Sequence, residues 1–153
     1  MEIFYKNLIF IISLILCTSC KNTTVSSSSD IPDPSLDEIA MMRADANWGT
    51  VVIYNPVTCK EIGDACGFFR LHAFSHSHLN HHLLSEPSAY PVSQEMQADC
   101  WTAKYGKPNE TKAAVKLLLD ENRNPTLKIH GDPLKRAENI RSCAMEIGKW
   151  IEE

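Results

Sequence analysis

Beyond its first twenty residues the chain has no apolar run long enough to cross a bilayer, and the run within them, Leu8 to Leu16, covers only nine positions. A spanning helix needs about 20. A basic stripe is missing too: 15 lysines and arginines stand against 19 aspartates and glutamates, the net charge is −4, and the cations are scattered. That excludes the electrostatic footprint of a nucleic-acid binder or of a protein held on an anionic membrane surface. No C-x-x-C pair occurs among the four cysteines after residue 20, which argues against a cysteine-rich zinc site. Internal repeats are absent, and so is low complexity apart from one polar stretch near the N-terminus.

What is present begins with that N-terminus. "MEIFYKNLIFIISLILCTSC" carries one lysine, Lys6, then the apolar run, then small residues before Cys20. This is the pattern of a secretory signal, so residues 1–19 are expected to be removed. The "CTSC" ending resembles the lipobox of bacterial lipoproteins, with Cys17 in the place usually held by leucine and Cys20 as the residue that would be lipidated. An ordinary cleaved signal is the alternative. Residues 20–36, "CKNTTVSSSSDIPDPSL", are rich in Ser, Thr and Pro and read as a flexible tether. Residues 37–153 suffice for one compact domain and are too few for two.

Export makes an even number of cysteines a disulfide signal. Of the three pairings open to Cys59, Cys66, Cys100 and Cys143, the expected ones are Cys59–Cys66, closing a short loop, and Cys100–Cys143, stapling two helices. Free structural thiols are the alternative. "GTVVIYNP" (residues 49–56) is β-branched and aromatic and ends at Asn55-Pro56, the best strand candidate, whereas "CKEIGDACG" reads as a loop. Helical periodicity then takes over. Phe69, His72, His76, Leu79 and Leu83 share one face. A second helix runs from a Ser93 cap to Gly106, and a third from Asn109 turns Ala113, Ala114, Leu117 and Leu118 inward. The last opens on Asp132-Pro133 and carries Ala137, Ile140, Ala144, Ile147 and Ile151. Trp48, Trp101 and Trp150 read as core or core-edge residues. The fold class is α+β, mostly helical, with a short β element near the start.

Five of the six histidines fall within residues 71–84, "LHAFSHSHLNHHLL". At i and i+4 on a helix, His72 and His76 project from one face, so both imidazoles can reach one zinc ion. Buried, hydrogen-bonded core histidines are the other reading of such a pair. "EMQAD" on the next helix offers Glu95 as a third ligand, and Asp99, one turn on, could accept a ring N–H from a ligand histidine. His78 and His82 lie off that face and are expected toward solvent.

In order and spacing, "HAFSHSHLNH" and "EMQAD" resemble the H-E-x-x-H-x-x-x-x-H and E-x-x-A-D segments of gluzincin-type zinc metallopeptidases, and "HGDPLKRAENI", from His130, is similar to a later segment of that family. The resemblance covers roughly residues 50 to 145. It implies a small zincin-like domain with His72, His76 and Glu95 as zinc ligands, Asp99 behind them, water as fourth ligand, and His81 in the place of the family's last histidine. At position 73 the family carries glutamate, the general base. This chain has Ala73. Alanine cannot move a proton, and a positioned base typically contributes about 10²–10⁴-fold in rate.

The expectation is therefore a degenerate metallopeptidase-like domain that holds zinc, is catalytically silent or nearly so, is lipid-anchored in a bacterial cell envelope, and acts by binding a peptide or protein ligand. An active hydrolase with a base relocated to Glu86 or His130 is the second reading. A metal-free structural or binding domain is the third.

Overall fold

A computed structural model describes residues 30–47, 49–81, 90–123, 127 and 129–150. Among these residues the fold is α+β and mostly helical, with one three-stranded sheet ahead of the helices. Residues 1–29, with the expected signal segment and Cys20, and Trp48, His82, Leu83, Glu86 and Ile151 lie outside the described residues.

The expected strand is β3, Gly49–Tyr54, at the centre of the sheet with Val51, Val52 and Ile53 all buried. Burial of three consecutive side chains means that both faces are covered. β2, Ala40–Asp45, pairs with β3 antiparallel, Met42 opposite Val52. β1, Asp30–Pro32, pairs with it in parallel, Asp30 opposite Val52.

The folded region thus starts ahead of residue 37: the last part of the stretch read as a tether adds an edge strand. Arg70 fixes that strand, donating from Nε to Asp30 Oδ2 at 2.7 Å while its guanidinium lies 4.4 Å from the Tyr54 ring centre. β2 also went unread. "AMMRAD" contains no β-branched residue, and its strand state comes from pairing with β3.

Asn55 closes β3 and caps α1, Pro56–Ile62: its Oδ1 accepts from the amides of Val57 and Thr58, and Pro56 occupies the first turn. "CKEIGDACG" is consequently helix, not loop, interrupted only by the turn at Gly63, whose φ of 58° suits glycine. α2, Ala65–His78, follows and packs against the sheet; α3 is Val92–Tyr105, α4 Pro108–Leu119 and α5 Pro133–Glu146. Ser93 lies inside α3, which Pro91 starts without a side-chain cap, while Gly106 ends it as expected. Asp132 caps α5 as expected, accepting from the amides of Leu134 and Lys135.

The main core joins Ile39, Phe68, Phe69, Val115, Leu118 and Ile140. A smaller cluster of Met42, Val52 and Ala73 sits between sheet and α2. In α4 Ala114 and Leu118 are buried and Ala113 and Leu117 half-buried, whereas Ile147 lies past the end of α5 and is exposed. Trp101 and Trp150 are half-buried. Both expected disulfides form: Cys59–Cys66 ties α1 to α2, and Cys100–Cys143 ties α3 to α5. Cross-links of this kind fit an oxidising, extracellular environment. Among the described residues no helix is long and apolar enough to cross a membrane.

Candidate metal centre

His72 and His76 point from successive turns of α2 toward Glu95 on α3, and all three side chains are buried. Their polar atoms converge: His72 Nε2 is 3.1 Å from His76 Nε2 and 3.2 Å from Glu95 Oε2, and the other carboxylate oxygen, Oε1, is 3.5 Å from His76 Nε2. The group could hold a metal ion.

The surroundings decide which atoms carry protons. Asp99 is fully buried on α3 and grips Arg136 of α5 through two hydrogen bonds of 2.7 Å, from Arg136 Nε to Oδ2 and from Nη2 to Oδ1. Burial alone would raise the Asp99 pKa; the Arg136 hydrogen bonds and His72 outweigh it, so the carboxyl stays ionised. His72 Nδ1 lies 2.9 Å from Asp99 Oδ1. The ring N–H is not squarely aligned with that oxygen, but a lone pair facing an anion at this distance would be repelled, so Nδ1 holds the proton and Nε2 the lone pair.

His76 is set by a relay. Asn80 takes a left-handed turn after α2, φ 58°, a conformation asparagine tolerates, and the turn brings buried His81 back against the helix. His81 Nε2 is 3.0 Å from Gln97 Oε1, an acceptor, so Nε2 carries hydrogen. His81 Nδ1 then accepts from His76 Nδ1 at 2.9 Å, and His76 Nε2 is left with its lone pair. Two imidazole lone pairs and a carboxylate converge. Only a cation, or an added proton, relieves that arrangement.

In the bare group, burial works against a charged His72, but Asp99 and Glu95 outweigh it and raise its pKa. Burial and the neighbouring His72 push His76 down to about 3. Glu95 is held below its ordinary value because His72 and Arg136 overcome its burial. Arg136 Nη1 also stands 3.6 Å from Glu95 Oε2, so one guanidinium supports both carboxylates.

In front of this group lies a cavity of about 310 Å³ whose walls include Ile39, Met41, Phe69, Ala73, Tyr90 and His130. Ala73 opens onto the space that a longer side chain would fill. His130 reaches this cavity and not the His72–His76–Glu95 group: its Nε2 is 3.0 Å from Glu38 Oε2, and its carbonyl accepts from Arg136 Nη1 at 3.0 Å. The Glu38 hydrogen bond outweighs partial burial and raises the His130 pKa. His78 is exposed, as expected.

Sequence reasoning missed four participants. Tyr90 stacks on His76, ring centres 3.9 Å apart and planes within 9°, and its hydroxyl is buried without a partner among the described residues. Gln97 sets the His81 tautomer, Glu38 pairs with His130, and Arg136 braces Asp99. Only Arg136 left a trace, as a charge four residues before Ile140 on the buried face of α5. No family model, curated protein or solved structure matches the chain.

Proposed function

We propose that this protein is a zinc-holding, metallopeptidase-like domain of an exported lipoprotein, and that it binds a ligand at its metal site without hydrolysing it. One observation carries the reading: buried His72, His76 and Glu95 bring ligand atoms together, all within 4.8 Å of one another, with His72 Nε2 3.1 Å from His76 Nε2 and 3.2 Å from Glu95 Oε2. A tetrahedral zinc ion with bonds of about 2.0–2.1 Å has ligand atoms about 3.3–3.4 Å apart, and His₂Glu is a zinc donor set that leaves one position open. Bound there, zinc would supply a Lewis acid at that position. Ala73 brings no proton acceptor to it. His72, His76 and Glu95 bind, Asp99 and the His81–Gln97 relay orient, and Arg136 keeps the carboxylates ionised.

Metal analysis tests this. The purified protein should hold about one zinc per chain, and His72→Ala should lose it; unchanged zinc in that variant would refute the assignment, and metal-free wild type would favour a purely structural domain. The anchor has its own test. Cys20→Ser should move the protein from the membrane fraction to the soluble one, since firm attachment needs the lipid chains.

The Glu38–His130 pair supports a second reading, a hydrolase whose base lies across the cavity from α2. Chelator-sensitive peptide hydrolysis by the wild type, lost in Glu38→Gln with zinc retained, would favour it.

A further inference from the structure

The cavity in front of the zinc group has its own chemistry, and it narrows what the site can take. Its volume, about 310 Å³, stands at the low end of ligand pockets, which run about 300–1,000 Å³. That is room for a small molecule or one chain end, not for a long peptide. The walls from Ile39, Met41, Phe69 and Ala73 are apolar, so the body of the occupant is apolar.

Charge and hydrogen bonding fix its head. A divalent ion held by one carboxylate and two neutral imidazoles keeps a formal charge of +1, while Asp99 and Arg136 cancel behind it. A single negative charge completes the site. Asp37 and Glu38 on the same wall disfavour more than one. Tyr90 adds the second constraint, because its buried hydroxyl lacks a partner among the described residues, and a buried donor left without an acceptor is costly. An acceptor oxygen arriving with the ligand would satisfy it.

Resting on the zinc reading, we infer that the site binds a monocarboxylate with a short apolar body: one oxygen faces the open position of the metal, the other accepts from the Tyr90 hydroxyl, and the body fills the space beside Ala73. Position 73 brings no proton acceptor to that place, and a carboxylate is already the product of hydrolysis. Such a ligand is held, not consumed. It can be a free acid or the C-terminus of a peptide.

Calorimetry on the zinc-loaded protein tests this with 3-phenylpropanoate for the free acid and N-acetyl-Leu-Phe for the chain end, against 3-phenylpropanol and inorganic phosphate. Either carboxylate should bind, the tighter one naming the source, and the alcohol and phosphate should not. Tyr90→Phe keeps the ring on His76, so zinc content should hold while carboxylate affinity falls about tenfold, the weight of a hydrogen bond to a charged group. Ala73→Glu should keep zinc and lose the acid, and it serves if Tyr90→Phe misfolds. Zinc retained with neither carboxylate bound, or undiminished binding in either variant, overturns the inference alone. Failure to hold zinc at all overturns the proposed function and this inference with it.

Discussion

The two sides of the metal group are built to different standards. Behind it, on α3 and α5, Asp99 and Arg136 hold each other through two hydrogen bonds, Gln97 fixes His81, His81 fixes His76, and a disulfide joins the two helices. In front, toward β2, stand an alanine, a tyrosine hydroxyl with no partner among the described residues, and a largely apolar cavity. Orienting a metal's ligands requires the first side and transforming a substrate requires the second.

Arg136→Ala would strand the Asp99 carboxylate at 0 % exposure. Removing one partner of a buried ion pair typically costs about 3–5 kcal/mol. Denaturant unfolding should show a loss of that size, and zinc should leave with it because Glu95 and His72 lose their support; Tyr90→Phe, on the front, should change stability little. Equal losses in the two variants would erase the distinction. Reducing the disulfides should cost roughly 2–5 kcal/mol, with a Cys100–Cys143 cross-linked peptide recovered from the unreduced protein. Four freely alkylated thiols would contradict it.

The same division explains how much could be read in advance. The rear of the site is local in sequence: His72 and His76 share a helix face, Glu95 and Asp99 share the next, and Asp132-Pro133 announces α5. Periodicity and capping expose such features. The front is assembled by tertiary packing. Glu38 and His130 meet across 92 residues, β2 has no intrinsic strand preference, and Tyr90 gains its role only by stacking on His76. α1 is not legible although Asn55-Pro56 is the same kind of cap as Asp132-Pro133, because its seven residues bury no side chain and so show no apolar face.

In the metal-free protein His72 has a raised pKa, so the stability it contributes is fully present below its unfolded value, about 6.5, and is lost as pH rises through the folded value. His76, pushed down to about 3, acts in the window below 6.5 with the opposite slope. Zinc competes with the His72 proton, so its affinity should rise roughly tenfold per pH unit until His72 is neutral and then level off. Thermal unfolding with and without zinc from pH 6 to 8 should therefore give diverging curves. Parallel curves would mean that zinc does not displace that proton.

The smallest effect expected concerns the front, where Ala73→Glu tests whether one residue separates this domain from an enzyme. Ala73 packs against Met42 and Val52, so its backbone is fixed by the sheet, while the cavity beside it leaves room for a longer side chain to turn inward. A carboxylate there would stand one residue after the first ligand, within reach of the open metal position, and could serve as the missing base. A positioned base contributes about 10²–10⁴-fold, and an untuned one should lie below that range, so a gain of about tenfold in casein or peptide hydrolysis, abolished by chelator, is the expected outcome. If the variant gains activity, the rear of the site has kept its competence and only the front has changed. If the wild type already hydrolyses as fast in a chelator-sensitive manner, Glu38 and His130 are the working pair. If both proteins hold zinc and neither hydrolyses, the change at the front extends beyond position 73 to the surface that would align a peptide.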